Sequence, residues 1–163
     1  MTFLRKITLT NFFVALLFLA DRITKNFAFG LPEGGFFLFS KKFIGLQLFK
    51  NYHLIFNLKL NQYLLYLFIF LILSCVLLFL IKNYEEKNYF LVFCFSLITI
   101  GAISNLLDRL LYGYVVDFLS FFDYSIFNLA DVYIFVGAGL ILIKIFKSDV
   151  SFPRRRESTL RKK

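Results

Sequence analysis

The sequence predicts an all-α membrane protein with four transmembrane helices and a small β-rich extracytoplasmic subdomain. Three observations support this fold class: hydrophobic residues make up 60% of the 163-residue chain, the mean hydropathy is +0.75, and long apolar runs recur along the chain. Water-soluble domains contain roughly half apolar residues and rarely show such runs. The bilayer is therefore the expected solvent of most of this chain.

The first apolar run covers Ile7 to Ala20 and follows Arg5 and Lys6, which resembles the start of a signal peptide. No A-x-A cleavage site closes the run, and it continues into Asp21-Arg22-Ile23-Thr24-Lys25 and further apolar residues. We therefore expect a retained first helix that carries polar groups near its far end.

The second and third helices are predicted by two runs without a formal charge, Tyr63 to Ile81 and Tyr89 to Leu107. Each is close to the roughly 20 residues that cross about 30 Å of hydrocarbon. The short charged link from Lys82 to Asn88 joins them, so the two helices must run antiparallel.

The last apolar run, Val132 to Ile143, is too short to cross a membrane alone. It reaches a spanning length when Asn128 to Asp131 are added before it and Lys144 to Lys147 after it. The predicted fourth helix thus has Asp131 in its first turn. Helix capping by Asn128 and the positive end of the helix dipole explain an aspartate there without any function.

Between the first two helices, glycine and proline punctuation and the alternation from Phe43 to Leu48 predict short strands lying on the membrane surface. The expected organisation is one membrane domain over residues 1–147, with an outer β-rich insertion at about 31–60. A basic tail at 148–163, predicted to be disordered, follows it.

Charge placement predicts the orientation. The net charge is +9, but eight of the 19 basic residues follow Ile143, so the charge is concentrated in the tail. The positive-inside rule favours both termini in the cytoplasm, and we expect no nucleic-acid partner. Lys41, Lys42, Lys50 and Lys59 are then external, against the rule, whereas the segment from Gly113 to Phe127 contains no lysine or arginine.

This layout brings three polar groups to the outer interface: Asp21 to Lys25, Asn105 to Arg109, and Asn128 to Asp131. Asp117, in the connecting loop, can reach the same depth. Charges within a span cost a few kcal/mol and therefore usually mark a functional site. The alternative is a set of ion pairs at helix ends, with Asp21 on Lys25, and Asp108 on Arg109 or Lys25.

Two carboxylates held close together share one proton, so one can act as base while the other acts as acid. The candidates at this depth are Asp21, Asp108, Asp117, Asp123 and Asp131, and the pattern alone does not choose the pair. Basic neighbours favour ionised Asp21 and Asp108, whereas apolar neighbours around Asp117 and Asp131 can raise a carboxyl pKa.

Other functions remain open at this point. A noncatalytic helical membrane protein, such as a transporter subunit or an assembly factor, could use the cluster only to hold its helices together. A hydrolase using Ser104 and Lys25 is possible because a desolvated lysine can act as base. No metal or cofactor is expected, since a single histidine, His53, cannot supply an HExxH zinc site.

Three successive segments resemble the signatures of the lipoprotein signal peptidase family, signal peptidase II, over about Ile7 to Phe146. They are Asn105-Leu106-Leu107-Asp108-Arg109, Tyr112-Gly113-Tyr114-Val115-Val116-Asp117-Phe118 and Phe127-Asn128-Leu129-Ala130-Asp131. Asp21-Arg22-Ile23-Thr24-Lys25 is similar to the D-x-x-T-K element of that family.

The resemblance implies an aspartic endopeptidase of the inner membrane that removes signal peptides from diacylglyceryl-modified bacterial prolipoproteins. Asp117 and Asp131 would be its catalytic pair, with substrate positioned by Asn105, Arg109 and Asn128 and the site supported by Asp21, Lys25 and Asp108. Prolipoprotein and membrane lipid are the implied partners of a monomeric enzyme.

One element departs from the family pattern. The family's N-x-G-A-A-F is matched to Phe56-Asn57-Leu58-Lys59-Leu60-Asn61, in which only the asparagine remains. Asn57 is accordingly an expected substrate-binding residue, and a divergent member with weakened activity stays possible.

Overall fold

The computed structural model of the chain describes residues 3–32, 35–37, 44–52, 61–121 and 125–150. Within these ranges it contains four long helices: α1 (Phe3–Ala28), α2 (Gln62–Glu85), α3 (Tyr89–Tyr112) and α4 (Leu129–Val150). All four are long and apolar enough to cross a membrane. The predicted four-helix membrane protein is confirmed, with each helix longer than its uncharged run.

The helices extend beyond the apolar runs because polar residues at their ends continue the helical turn. Asn61 and Asn88 cap α2 and α3 by accepting hydrogen bonds from the N–H groups of Tyr63 and Leu91. At its other end α3 closes on Gly113, whose φ of +79° suits the left-handed position after a helix.

Ring and side-chain contacts fix the helix directions. Phe3 of α1 lies 5.1 Å from Tyr89 of α3 between ring centroids, and Asp21 meets Ser104 further along, so α1 and α3 run parallel. Tyr66 of α2 contacts Arg109 and Phe79 stacks on Phe95, so α2 runs antiparallel to α3. We call the end where α1 and α3 finish the polar end, and the other the opposite end.

Close packing of α4 on α3 depends on two glycines. A Cβ atom at Gly101 would come within 2.5 Å of the Ala130 carbonyl oxygen, and one at Gly137 within 2.7 Å of the Cys94 carbonyl oxygen. Small residues allow helix backbones in membranes to approach in this way. The start of α4 is therefore held tightly against α3, antiparallel to it.

Four strands form an antiparallel sheet at the polar end in the described part of the chain, in the order β1 (Phe36–Phe37), β2 (Ile44–Asn51), β3 (Val115–Phe121) and β4 (Ser125–Phe127). The first two lie in the predicted β-rich insertion. Ala28, Val116 and Phe118 form the buried core between this sheet and the end of α1.

The prediction of a loop around Asp117 was wrong, because Asp117 lies in β3. The sequence Val-Val-Asp-Phe-Leu-Ser-Phe is rich in β-branched and aromatic residues, which favour strands, and β3 pairs on both of its edges. In the neighbouring strand β2, Leu46 pairs with Leu119 and Phe49 pairs with Asp117. Between these two pairs β2 has one residue more than β3, which makes a β-bulge. Such bulges are common beside active sites because they redirect side chains.

Candidate active site

Asp117 is fixed by amide donors from two different elements. This residue is only 1% exposed and lies on β3, the strand that follows α3. The Nδ2 of Asn51, at the end of β2, donates to one carboxyl oxygen at 2.8 Å, and the Nδ2 of Asn128 donates to the other at 2.6 Å. Both oxygens of Asp117 therefore have a fixed orientation.

Asp131 forms a reciprocal capping pair with Asn128 at the start of α4. The Asp131 N–H donates to Asn128 Oδ1 at 3.0 Å, and the Asn128 N–H donates to Asp131 Oδ2 at 3.2 Å. This is the geometry of a capping box. The capping explanation offered for Asp131 is thus correct, and it coexists with proximity to Asp117 because the same Asn128 contacts both carboxylates.

Asn105 of α3 completes the link between the two aspartates. Its Nδ2 donates to Asp131 Oδ1 at 2.8 Å, and its Oδ1 accepts from Asn128 at 3.1 Å and from Lys25 Nζ at 2.8 Å. Asn105 and Asn128 therefore orient the carboxyl groups of Asp117 and Asp131 as one unit.

Beneath this pair lies a buried ion network. Lys25 Nζ is 3.1 Å from Asp21 Oδ2 and 2.7 Å from Asp108 Oδ2, and all three side chains are at most 1% exposed. Asp21 Oδ1 accepts the Ala130 N–H at 2.9 Å, in the first turn of α4. A carboxylate at that position is stabilised by the positive end of the helix dipole. Lys25 and Asp21 thus connect α1 to the element that carries Asp131.

The arginines complete the charges of this end. Arg109 donates to the Asn105 carbonyl oxygen at 3.4 Å, and its charge interacts with those of Asp117 and Asp131. Tyr66 of α2 donates its hydroxyl to the Arg109 carbonyl oxygen at 3.1 Å. Arg22 pairs with Asp108 at 2.5 Å. We call Asp21, Arg22, Lys25, Asn105, Asp108, Arg109, Asp117, Asn128 and Asp131 the polar cluster.

Burial changes the acidity of Asp117. Loss of hydration raises the pKa of this carboxyl to about 6, against the opposing effect of the hydrogen bond from Asn51. The nearby charge of Asp131 raises the pKa further, and the hydrogen bond from Asn128 and the charge of Lys25 lower it. A carboxyl with such a pKa can exchange a proton near neutral pH.

The structure brings together most of the site residues that the sequence predicts. They are Asp21, Lys25, Asn105, Asp108, Arg109, Asp117, Asn128 and Asp131. Asn57 and the further candidate Asp123 lie outside the described residues. The expected ion pairs of Asp21 and Asp108 with Lys25 are present.

Sequence reasoning missed Asn51 and Arg22. A signal for Asn51 was available: in the N-x-G-A-A-F element a phenylalanine follows the asparagine by five positions, and Phe56 stands at that distance from Asn51. Asn57 has Gln62 at the corresponding position. Arg22 had no such signal, because only its position inside D-x-x-T-K was apparent.

The profile of the family described as Signal peptidase (SPase) II matches residues 13–147. A protein named lipoprotein signal peptidase from Shewanella sediminis (strain HAW-EB3) is 35% identical over 147 residues, covering 83% of this chain and 82% of that protein. Another of that name, from Streptococcus pneumoniae (strain ATCC BAA-255 / R6), is 28% identical and covers 91% and 99%.

A solved structure has the same fold along almost the whole chain. It is described as a bacterial membrane enzyme structure obtained by the in meso method at 2.3 Å resolution. The TM-score is 0.75 and the sequence identity 27%, with 94% of this chain and 96% of that chain covered.

Proposed function

Because the chain belongs to the signal peptidase II family, we propose that it is an aspartic endopeptidase that removes signal peptides from diacylglyceryl-modified bacterial prolipoproteins. The observation that carries this proposal is the pair of carboxylates, Asp117 and Asp131, which are joined by Asn128 because it donates to both. Family membership supports the substrate class, and the geometry supports the catalytic pair.

The charges of the polar cluster favour one shared proton on this pair. Its described residues supply three cations, Arg22, Lys25 and Arg109, and four carboxylates, Asp21, Asp108, Asp117 and Asp131. With a single proton on the catalytic pair the cluster is neutral. A neutral cluster is the favourable state in a medium of low dielectric constant, where an uncompensated charge is costly.

The singly protonated pair can hydrolyse a peptide bond in two steps. The ionised carboxylate takes a proton from water, whose oxygen attacks the peptide carbonyl carbon, while the protonated carboxyl donates its proton to the carbonyl oxygen. The tetrahedral intermediate then collapses: the carboxyl that took the proton from water donates it to the leaving nitrogen, and the C–N bond breaks. The other carboxylate takes a hydroxyl proton from the intermediate as the new carbonyl forms, which restores the singly protonated pair. Asn105 and Asn128 keep both carboxyl groups oriented throughout.

Contacts of Ser104 and Lys25 argue against a serine hydrolase. The Ser104 hydroxyl donates to Asp21, so its proton faces a carboxylate that is already paired. Lys25 Nζ contacts two carboxylates and the Asn105 oxygen, and these partners favour a charged amine over the neutral base that such a mechanism needs. A purely structural role for the cluster also does not explain why a carboxyl with a raised pKa, that of Asp117, is buried there.

Orientation in the membrane is part of the proposal. The opposite end contains the start of α1, the link with Lys87 and the end of α4, which precedes the basic tail. The positive-inside rule places these in the cytoplasm and the polar end at the outer interface. A signal peptide that crosses the membrane presents its cleavage point at that interface.

The test is cleavage of a diacylglyceryl-modified prolipoprotein by the purified protein in detergent. We expect Asp117→Asn and Asp131→Asn each to lower kcat by about 1,000-fold, within the range of general acid–base contributions. Glu86→Gln makes the same chemical change at an exposed site and should leave kcat unaltered. The proposal is contradicted if either aspartate variant cleaves as well as the parent. It is also contradicted if the parent itself cleaves no prolipoprotein. A precursor without the diacylglyceryl group tests the substrate class.

A further inference from the structure

Asp108 connects α1 and α3 to the strand that carries Asp117. One of its carboxyl oxygens accepts from Lys25 Nζ at 2.7 Å and from the Val116 N–H at 3.2 Å. Val116 directly precedes Asp117, so this backbone hydrogen bond fixes the start of β3 relative to α3. Asp108 itself is fully buried, and its orientation depends on what holds its second oxygen.

Arg22 holds that second oxygen. Its guanidinium contacts Asp108 Oδ1 at 2.5 Å and also donates to the hydroxyl and carbonyl oxygens of Ser104, at 3.2 and 3.4 Å. One guanidinium thus joins α1 to α3 through three acceptors. The Arg22 side chain is 23% exposed and reaches the cluster from the side of α1.

We propose that Arg22 is a positioning residue for the aspartic site, acting on Asp117 through Asp108 and Val116. It also supplies one of the three positive charges that balance the cluster. This inference rests on the proposed function for its catalytic consequence, but its structural content concerns the setting of Asp117 alone.

Two effects follow from the loss of Arg22. The first is geometric: without its second partner, Asp108 can rotate away from the Val116 N–H, and β3 loses a fixed point next to Asp117. The second is electrostatic: Lys25 remains the only cation that contacts Asp108 and Asp21 among the described residues, so an excess negative charge remains in the cluster. A more negative surrounding makes the carboxylate pair bind protons more strongly.

The charged groups around Asp117 come from three helices and from β2, whereas β4, the other strand paired with β3, contains none. α1 supplies Asp21, Arg22 and Lys25, α3 supplies Asp108 and Arg109, α4 supplies Asp131, and β2 carries Lys50, whose amine lies over the Tyr114 ring. Arg22 and Lys50 are the cations among them that contact neither Asn105 nor Asn128, and of these two only Arg22 belongs to the polar cluster. Its removal therefore changes the charge of the site without removing a group that orients the two carboxyls directly.

The test compares Arg22→Gln with Arg22→Lys, and uses Lys82→Gln, an exposed cation at the opposite end, as control. We expect Arg22→Gln to lower kcat by about tenfold with KM within about twofold. A unit charge about 10 Å away, at an effective dielectric constant of about 20, changes a carboxyl pKa by roughly one unit. The acid limb of the pH–rate profile should rise by about that amount.

Arg22→Lys separates the two effects. A lysine keeps the charge, but its amine ends one bond short of the Arg22 Nη1 position and lacks the planar guanidinium, so the acid limb should stay in place while kcat recovers only in part. Equal losses in both variants with an unmoved acid limb would show a merely structural role and overturn the inference. Unchanged kcat and acid limb in Arg22→Gln would overturn it as well.

A second measurement does not depend on cleavage. The carboxyl stretch of protonated Asp117 can be followed by infrared difference spectroscopy against pH and assigned by its absence in Asp117→Asn. Its midpoint should be higher in Arg22→Gln than in the parent, and unchanged in Arg22→Lys and Lys82→Gln. If the parent cleaves no prolipoprotein, the proposed function fails and this titration still decides the role of Arg22. If Arg22→Gln does not fold, a shifted midpoint in Arg22→Lys contradicts the inference.

Discussion

The two ends of the helix bundle contain the same kinds of polar group in very different surroundings. At the opposite end, Tyr84 bonds Asn11 and Lys144 bonds Asn88, both in exposed positions, and Lys82 lies 3.7 Å from Glu86 with both side chains more than half exposed. At the polar end, Asp21, Lys25 and Asp108 are at most 1% exposed.

The difference in burial changes what each contact is worth. An exposed ion pair contributes about 0–1 kcal/mol, because water screens it and the side chains lose freedom. Removing one partner of a buried pair costs about 3–5 kcal/mol, since the other charge is left without compensation. Apolar side chains would hold the helices together at lower cost, so helix packing alone does not account for the buried network at the polar end, whereas the proposed chemistry of Asp117 and Asp131 requires it.

The largest effect that separates the two ends is expected from Asn128→Asp. The new carboxylate still accepts the Asp131 N–H, but it cannot donate to Asp117 and it adds a further negative charge beside the pair. We expect kcat for prolipoprotein cleavage to fall by at least about 100-fold, with a higher acid limb.

The matched control is Asn88→Asp, the same change at the cap of α3 at the opposite end. Aspartate caps a helix as well as asparagine does, so stability and kcat should be unaltered. Equal losses in the two variants would show that the loss does not arise from the surroundings of Asp117 and Asp131.

A smaller effect is expected from Gly101→Ala. The added methyl group would lie 2.5 Å from the Ala130 carbonyl oxygen and 2.7 Å from Ile134, so the start of α4 must shift, and Asp131 with it. Overpacking costs about 1–3 kcal/mol, and a displaced catalytic group can lower kcat by about 10- to 100-fold. Thermal unfolding and steady-state kinetics measure the two parts.

Gly137→Ala and Gly139→Ala, both on α4, provide the comparison with Gly101→Ala on α3. A Cβ at Gly137 would clash with Cys94 and Ile98, further from the site, whereas one at Gly139 meets nothing within 4 Å. Gly137→Ala should lower stability as Gly101→Ala does but change kcat by less than about threefold, and Gly139→Ala should change neither. Parallel losses of kcat at 101 and 137 would refute a local effect on Asp131.

The pH dependence of kcat/KM tests the hydrogen bond from the Asn51 side-chain amide to Asp117. Burial raises the pKa of Asp117 to about 6, so kcat/KM should fall toward acid pH as a second proton reaches the pair and removes the base. The midpoint of that fall belongs to the two carboxyls together. Asn51→Ala deletes a hydrogen bond to the ionised form and so should raise the acid limb. At pH 7 we expect a loss of about three- to tenfold.

Asn57→Ala is the matched variant for this prediction. If Asn51 is the asparagine of the N-x-G-A-A-F element, the acid limb moves in Asn51→Ala and stays in place in Asn57→Ala. The reverse result would restore the first assignment and show that the contact between Asn51 and Asp117 has no effect on catalysis.

Apolar length made the helices predictable, and charge made their arrangement predictable. Uncharged runs such as Tyr63 to Ile81 can do little but cross a bilayer, and short links force neighbouring helices to be antiparallel. The convergence of Asp21, Asn105 and Asp131 at one end followed from helix order alone. Their hydrogen-bond partners did not, because side-chain pairing depends on helix rotation, which uncharged lipid-facing surfaces do not encode.

The strand around Asp117 was harder to predict for a different reason. β3 pairs with β2, more than sixty positions earlier in the chain, so its stability comes from a partner that local pattern does not reveal. Val115 and Val116 favour a strand, but a short segment between two helices also suits a loop. The same long-range pairing brings Asn51 to Asp117, which explains why strand and asparagine were missed together.

The smallest expected effect comes from a pair of tyrosines on α2, one at each end of the bundle. Tyr66 donates to the Arg109 carbonyl oxygen beside the site, and Tyr84 donates to Asn11 in an exposed position. Tyr66→Phe should lower kcat about two- to fivefold, because the end of α3 that carries Arg109 loses a fixed contact. Tyr84→Phe removes a hydrogen bond that water can replace, so kcat should stay within experimental error of the parent. Since the two variants lose the same hydroxyl from the same helix, equal kcat values would mean that the polar end needs no more precise packing than the opposite end.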